Sequence, residues 1–166
     1  MSFFKNLFRK PEKMISLDVE LDGMHPSHII QLSYLVIQGK RVKGKNFYFA
    51  AKAINRYARQ VHGISLYQLR KLSGGKGFID YADEIYRDFA DCTLKHYTQE
   101  AHIPLKQNPK VLKPPKLTEL TEHFGLSQDF IAQKCQKWYG GGDHPHDARY
   151  DAAAAYLCML VGEEEA

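Results

Sequence analysis

The 166-residue chain is 44% apolar and 12% aromatic, which suits one domain with a sizeable core and excludes disorder as the main state. No apolar run approaches the roughly 20 residues of a membrane span. The formal charge of +4 is unevenly spread, because no Asp or Glu lies between Gly23 and Ile79. That stretch carries Lys40, Arg41, Lys43, Lys45, Lys52, Arg56, Arg59, Arg70, Lys71 and Lys76, whereas Asp80 to Asp91 is acidic. One-signed patterning of this kind fits either a solvated face or a polyanion partner such as nucleic acid. Three cysteines, Cys92, Cys135 and Cys158, are odd in number and lack metal spacing, so a reducing, cytoplasmic setting is expected.

Residues 1–13 form a basic leader with apolar residues but without the hydrophobic region or cleavage site of a signal peptide. The first strand is expected over Met14 to Val19. Successive strand side chains alternate, so Asp18 and Glu20 share a face at the strand end, just before Gly23. Like charges held that close repel unless a cation sits between them, and oxygen ligands suit Mg²⁺ or Mn²⁺. By itself Asp-x-Glu also fits an ordinary polar strand end. Ile29 to Gln38 reads as a central strand, Gly39-Lys40 as a hairpin turn, and Val42 to Ala50 as a third strand. Three antiparallel strands follow.

Ala53 to Val61 is expected to be a helix with Ile54, Tyr57, Ala58 and Val61 on its packed face and Gly63 as its left-handed cap. Ser65 to Lys71 reads as a second short helix. Ser73-Gly-Gly-Lys-Gly77 lacks the full phosphate-loop pattern and reads as a flexible linker. Phe78 to Ala90 is amphipathic, with Ile79, Ala82, Ile85, Tyr86 and Phe89 on one face. Cys92 to Leu94 suits a short strand, and Pro104 to Pro115, with four prolines, an irregular segment. Thr118 to Phe124 and Gln128 to Tyr139 are expected helices, stopped by Gly125 and started by Ser127 respectively. Phe130, Ile131 and Cys135 are expected to face inward. There are no internal repeats.

Gly140-Gly-Gly142 frees the chain ahead of His144-Pro-His-Asp-Ala-Arg-Tyr-Asp151. Asp147 is the expected N-cap of a final helix rich in alanine, with Pro145 just outside it. Asp151 falls in the first turn, and His146 in the lead-in. A third acid and a neutral imidazole reaching one point suit metal-assisted hydrolysis. A loop histidine and a solvated helix Asp fit the same letters. So does a zinc set of His144, His146 and Asp151, which predicts stoichiometric zinc.

Taken together, Asp18-x-Glu20 on a first strand, His62-Gly-Ile64, Lys116 to Leu126, and His146-x-x-x-x-Asp151 on a last helix resemble the DEDDh (DnaQ-like) 3′–5′ exonucleases. The resemblance covers about residues 14–161, leaving 162–166 as an acidic tail. It implies a ribonuclease-H-like mixed α/β sheet, its first three strands antiparallel and flanked by helices. It implies two Mg²⁺ or Mn²⁺ ions per site, with Asp18 bridging both and Glu20 and Asp151 binding the one that activates water. His146 becomes the general base. The resemblance implies a single-stranded 3′ end as substrate, DNA before RNA, and a DNA polymerase as a partner; the strand would be met by Lys40, Arg56 and Arg59 of the basic stretch and by His62, which fits a helix-capping role as well. The chain departs from the family in the middle: His96 can stand for the motif's His, but no Asp follows at the right distance. Asp91 and Glu100 are the nearest stand-ins. The competing expectation is therefore a catalytically weak module that binds nucleic acid or a polymerase.

Overall fold

A computed structural model describes residues 13–24, 27–89, 104–105, 108–112 and 116–164. Strands β1 (Lys13–Leu21), β2 (Ile29–Gln38) and β3 (Arg41–Tyr48) form an antiparallel sheet in the order β1-β2-β3. Register places Asp18 opposite Ser33 and Ser33 opposite Asn46, and likewise Glu20, Gln31 and Tyr48 in the next row. Residues directly opposite share a face. One face therefore carries Asp18, Glu20, Gln31, Ser33, Asn46 and Tyr48, and the other carries Ile15, Val19, Leu32, Tyr34 and Phe47. The third strand stops at Tyr48, short of the expected Ala50, because the Ala50 N–H turns away to the Lys76 carbonyl (2.7 Å).

The second face buries Leu32, Tyr34, Phe47, Phe49 and Ile85, with Tyr81 and Phe89 packed against them. Its cover differs from the single helix expected over Phe78 to Ala90. A 3₁₀ turn (Phe78–Tyr81) precedes helix α3 (Ala82–Phe89). The tighter turn changes the helical phase, so Ile79 (83% exposed) and Tyr86 (77%) face solvent rather than the core. Tyr34, fully buried, donates its hydroxyl to Asp88 Oδ2 (2.9 Å), and Lys45 pairs with both Glu84 (2.8 Å) and Asp88. These bonds fix α3 on the sheet.

The first face is covered by the long helix α6 (Ala148–Glu164), which buries Tyr156 and Met159 against Leu35 and Ile37. Ala152, Ala153 and Ala154 are fully buried; their small side chains bring the helix backbone close enough for Ser16 Oγ to reach the Ala152 carbonyl (2.7 Å). Helix α6 continues through Gly162 to Glu164, so the expected acidic tail begins inside it.

Helices α4 (Leu117–His123) and α5 (Gln128–Tyr139) lie beside α6, with Ile131 and Cys135 in the shared core. Phe130, expected to face inward, is 39% exposed, one position off the buried stripe. Helix α5 crosses β3 at Gly44, where a Cβ would lie about 2.5 Å from the Trp138 carbonyl.

Two short helices close the end of the sheet that carries the acids. Helix α1 (Arg56–His62) starts three residues later than expected, because Asn55 caps it through the Tyr57 N–H (2.8 Å). Gly63 ends it with φ 74°, as expected. Tyr57 and Val61 were expected on the packed face and are instead exposed. Helix α1 is tied to the β1 end through its cap, the Asn55 N–H donating to the Asp22 carbonyl (2.7 Å), and its apolar side opens onto a groove. Helix α2 (Leu66–Ser73) follows, with a Ser65–Gln68 capping box. The segment expected to be irregular contains a hairpin, β4 (Pro104–Leu105) with β5 (Asn108–Leu112). Pro104 opens its strand, where a missing N–H is tolerated. Residues 1–12 of the leader, the expected strand Cys92 to Leu94, and Asp91, His96 and Glu100 lie outside the described residues, while Lys13, expected in the leader, opens β1. Among the described residues no helix is long and apolar enough to cross a membrane.

Candidate metal centre

The alternation of β1 points Asp18 and Glu20 toward the N-terminal turn of α6, and helical spacing brings Asp151 to meet them. One carboxylate oxygen from each of the three lies within 4.8 Å of the others. The helix start is built as its sequence suggests. Asp147 Oδ1 accepts the Arg149 N–H (2.9 Å), and Arg149 returns a two-pronged side-chain bond to the same carboxylate (2.9 and 2.6 Å). The Arg149 side chain fills the space beside Gly142, whose φ is 81° and where a Cβ would lie 2.8 Å from Arg149 Cβ. His146 follows in a left-handed conformation, φ 63°, uncommon for a residue with a side chain. Its N–H donates to Asp151 Oδ2 (3.2 Å).

Burial and mutual repulsion dominate the electrostatics. Asp18 is pushed up to about 7 from an ordinary 3.8, first by burial and then by the Asp151 charge. Glu20 is pushed up to about 8 from 4.5, by burial, then Asp18, then Asp151. Asp151 is also raised, mainly by burial, although the charge and N–H of His146 offset part of the effect. Asp147 moves the other way. Burial would raise it, but the Arg149 bonds outweigh that and hold it below the usual range. Three half-buried carboxylates that resist ionising together form an all-oxygen donor set, which suits a hard divalent cation.

Beside the acids, on the same sheet face, lies a polar layer that the sequence did not single out. Gln31 and Ser33 are buried on β2, and both donate to Asn46 Oδ1 (2.9 and 2.5 Å). Gln31 also reaches the Tyr48 hydroxyl (3.3 Å). The available signal was two polar residues, two apart, inside an otherwise apolar strand.

The other expected site residues are scattered. His62 is buried, its Nδ1 accepting the Ile64 N–H (3.0 Å); burial lowers its pKa, and a bond to the Leu21 backbone offsets part of that. It forms the ridge between two grooves. One, about 270 Å³, runs from Glu20 past Leu21, Met24, Tyr57 and Val61; the other, about 220 Å³, is lined by Gln31, Tyr48, Gln68, Leu72, His144 and Asp147. Arg56 and Arg59 are exposed on α1, but helical spacing turns them away from the side, Tyr57, Ala58 and Val61, that lines the first groove. Lys40 sits in the β2–β3 turn beyond Gln38, which pairs with Lys13, so strand rise puts it roughly 20 Å or more from Glu20. Lys45, from the same basic stretch, is engaged by Glu84 and Asp88. The zinc set of His144, His146 and Asp151 is not gathered: among the described residues the one cluster of three such ligands is Asp18, Glu20 and Asp151. A further groove of about 750 Å³, lined by Asp22, Phe49, Lys52 and Phe78, is mostly apolar and is lined by none of the three clustered acids.

No family model matches the sequence, and no curated protein matches it either.

Proposed function

We propose that the chain is a divalent-metal-dependent 3′–5′ exonuclease of the DEDDh type on a ribonuclease-H-like fold, acting at a single-stranded nucleic-acid end, DNA before RNA. The observation that carries the reading is the convergence of Asp18, Glu20 and Asp151, drawn from the two ends of the chain onto one half-buried point. These three residues would hold Mg²⁺ or Mn²⁺. Bound there, such ions neutralise charge on phosphoryl oxygens and lower the pKa of water. His146 stands next in the chain to the helix cap, exposed, where it can accept a proton from water. The apolar groove beside Glu20, with exposed Met24, Tyr57 and Val61, suits the base of the terminal nucleotide, and the exposed Arg56 and Arg59 on another side of α1 suit phosphates of the strand.

A second reading, a module that binds a nucleic-acid end or a polymerase with little turnover, is favoured by the middle segment, which lacks the family's Asp. Calorimetry with Mn²⁺, on the wild type and Asp18→Ala, with and without a single-stranded oligonucleotide, separates the two when paired with degradation of a 5′-labelled strand. Two Asp18-dependent ions and stepwise 3′ shortening establish the exonuclease. One weak ion with bound, intact oligonucleotide establishes the binding module. No Asp18-dependent ion sinks the exonuclease.

A further inference from the structure

Helix α2 presents a face that the metal centre does not use. Its inner side buries Leu69 and Ser73. Its outer side carries Tyr67, 68% exposed, Leu72, 54% exposed, and the exposed cations Arg70 and Lys71. Tyr67 and Lys71 are one helical turn apart, and Lys71 Nζ stands 4.7 Å above the Tyr67 ring. An aromatic ring left open to water with a cation over it has one free π-face and a charge beside it.

The same helix walls the polar groove. Gln68 and Leu72 line it on one side. Gln31, Tyr48 and His62 form its floor, and His144 and Asp147 close it where the chain enters α6. The groove thus runs from α2 to Gln31, the cross-strand neighbour of Glu20, and to Asp147 at the start of α6, without being lined by the three acids themselves. The negative charge at its site end, Asp147, is matched by the two-pronged bond to Arg149. On the α2 side no carboxylate occurs anywhere from Gly23 to Ile79. The apolar groove on the other side of His62 meets the acids at Glu20 and is separate from this path.

We infer that the groove and the outer face of α2 bind the single strand upstream of the 3′ end, with Tyr67 stacking on a base and Arg70 and Lys71 meeting phosphates. The inference rests on the exonuclease or end-binding reading and extends it by a second contact surface. Stacking on Tyr67 tolerates any base, because every base has a π-face, so the surface adds affinity and grip rather than sequence preference.

The test is fluorescence anisotropy in Ca²⁺ with two labelled oligothymidines, one of about ten nucleotides and one of about two, the longer falling within the usual span of single-strand sites. The proteins are wild type, Tyr67→Ala and the double variant Arg70→Glu/Lys71→Glu, all changed at exposed positions. The expected result is about a tenfold loss of affinity for the long strand in Tyr67→Ala, and unchanged affinity for the short one. The double variant loses more, and its salt dependence shallows by about 0.7 in log–log slope per phosphate contact removed. Variants that bind the long strand as the wild type does overturn the inference and leave the metal-centre reading standing. A wild type that binds the long strand no more tightly than the short one does the same. A wild type that binds neither overturns the inference and the reading together. If the variants keep strand binding but change the mass in solution, the face joins copies of the chain, and the inference is wrong.

Discussion

His146 and Asp151 are tied to each other: the His146 N–H donates to Asp151 Oδ2 at 3.2 Å, so one bond links the turn that holds the imidazole to a carboxylate of the cluster. Asp151→Ala therefore removes a candidate metal ligand and a turn anchor at once. Its Mn²⁺ affinity should fall by more than the roughly 10–100-fold typical of losing an outer partner of a metal site. Asp151→Asn keeps an oxygen for the His146 N–H and should lose metal affinity while unfolding at a higher Tm than Asp151→Ala. Equal Tm losses in the two variants would show that the bond contributes nothing.

The strained backbone at His146 gives a separable prediction. A side chain at φ 63° costs about 1–2 kcal/mol, which glycine avoids. His146→Gly should therefore be more stable than His146→Ala by about 1 kcal/mol, while both lose the proposed general base. Denaturant unfolding checks the first half and strand degradation the second. An alanine variant as stable as the glycine one would mean the turn relaxes freely.

The acid cluster should weaken the metal-free protein as pH rises. Asp18 and Glu20 titrate near 7 and 8 in the folded chain, against 3.8 and 4.5 ordinarily, so the folded state holds protons that the unfolded state has released. Stability contributed by these groups is full below about pH 4 and is lost progressively up to about pH 8. A divalent cation replaces those protons, so the rise in Tm on adding Mn²⁺ should be larger at pH 8 than at pH 5.5. A Mn²⁺ effect independent of pH would place the ion elsewhere.

Removing one charge tests the same repulsion from the other side. Asp18→Asn should stabilise the metal-free protein at pH 8, on the order of 1 kcal/mol after solvent screening, and abolish the stabilisation by Mn²⁺. A metal-free variant less stable than the wild type would mean that Asp18 already has a favourable partner.

Gly44 is where β3 admits α5. Gly44→Ala places a methyl about 2.5 Å from the Trp138 carbonyl and 2.6 Å from the Tyr139 ring. Overpacking of this kind costs about 1–3 kcal/mol, so thermal unfolding should show a clear loss. An unchanged Tm would mean α5 can shift off the sheet at little cost.

Much of this arrangement follows from local rules in the sequence. The alternation of β1 set Asp18 and Glu20 on one face, Ile29–Gln38 and Gln128–Tyr139 carried their own boundaries, and Asp147 and Gly63 marked a helix start and a helix stop. Each depends on a few neighbouring residues, through strand alternation, capping or the conformational freedom of glycine.

The tertiary structure decided what those elements meet. It brought Asp151 onto the acids of β1, put the Gln31–Ser33–Asn46–Tyr48 layer beside them, and left Tyr57 and Val61 of α1 and Ile79 of the 3₁₀ turn facing water. It also turned a proline-rich stretch into a hairpin. Periodicity fixes which residues of an element point together, but the partner that covers them is set by long-range packing in which distant segments compete for the same sheet face.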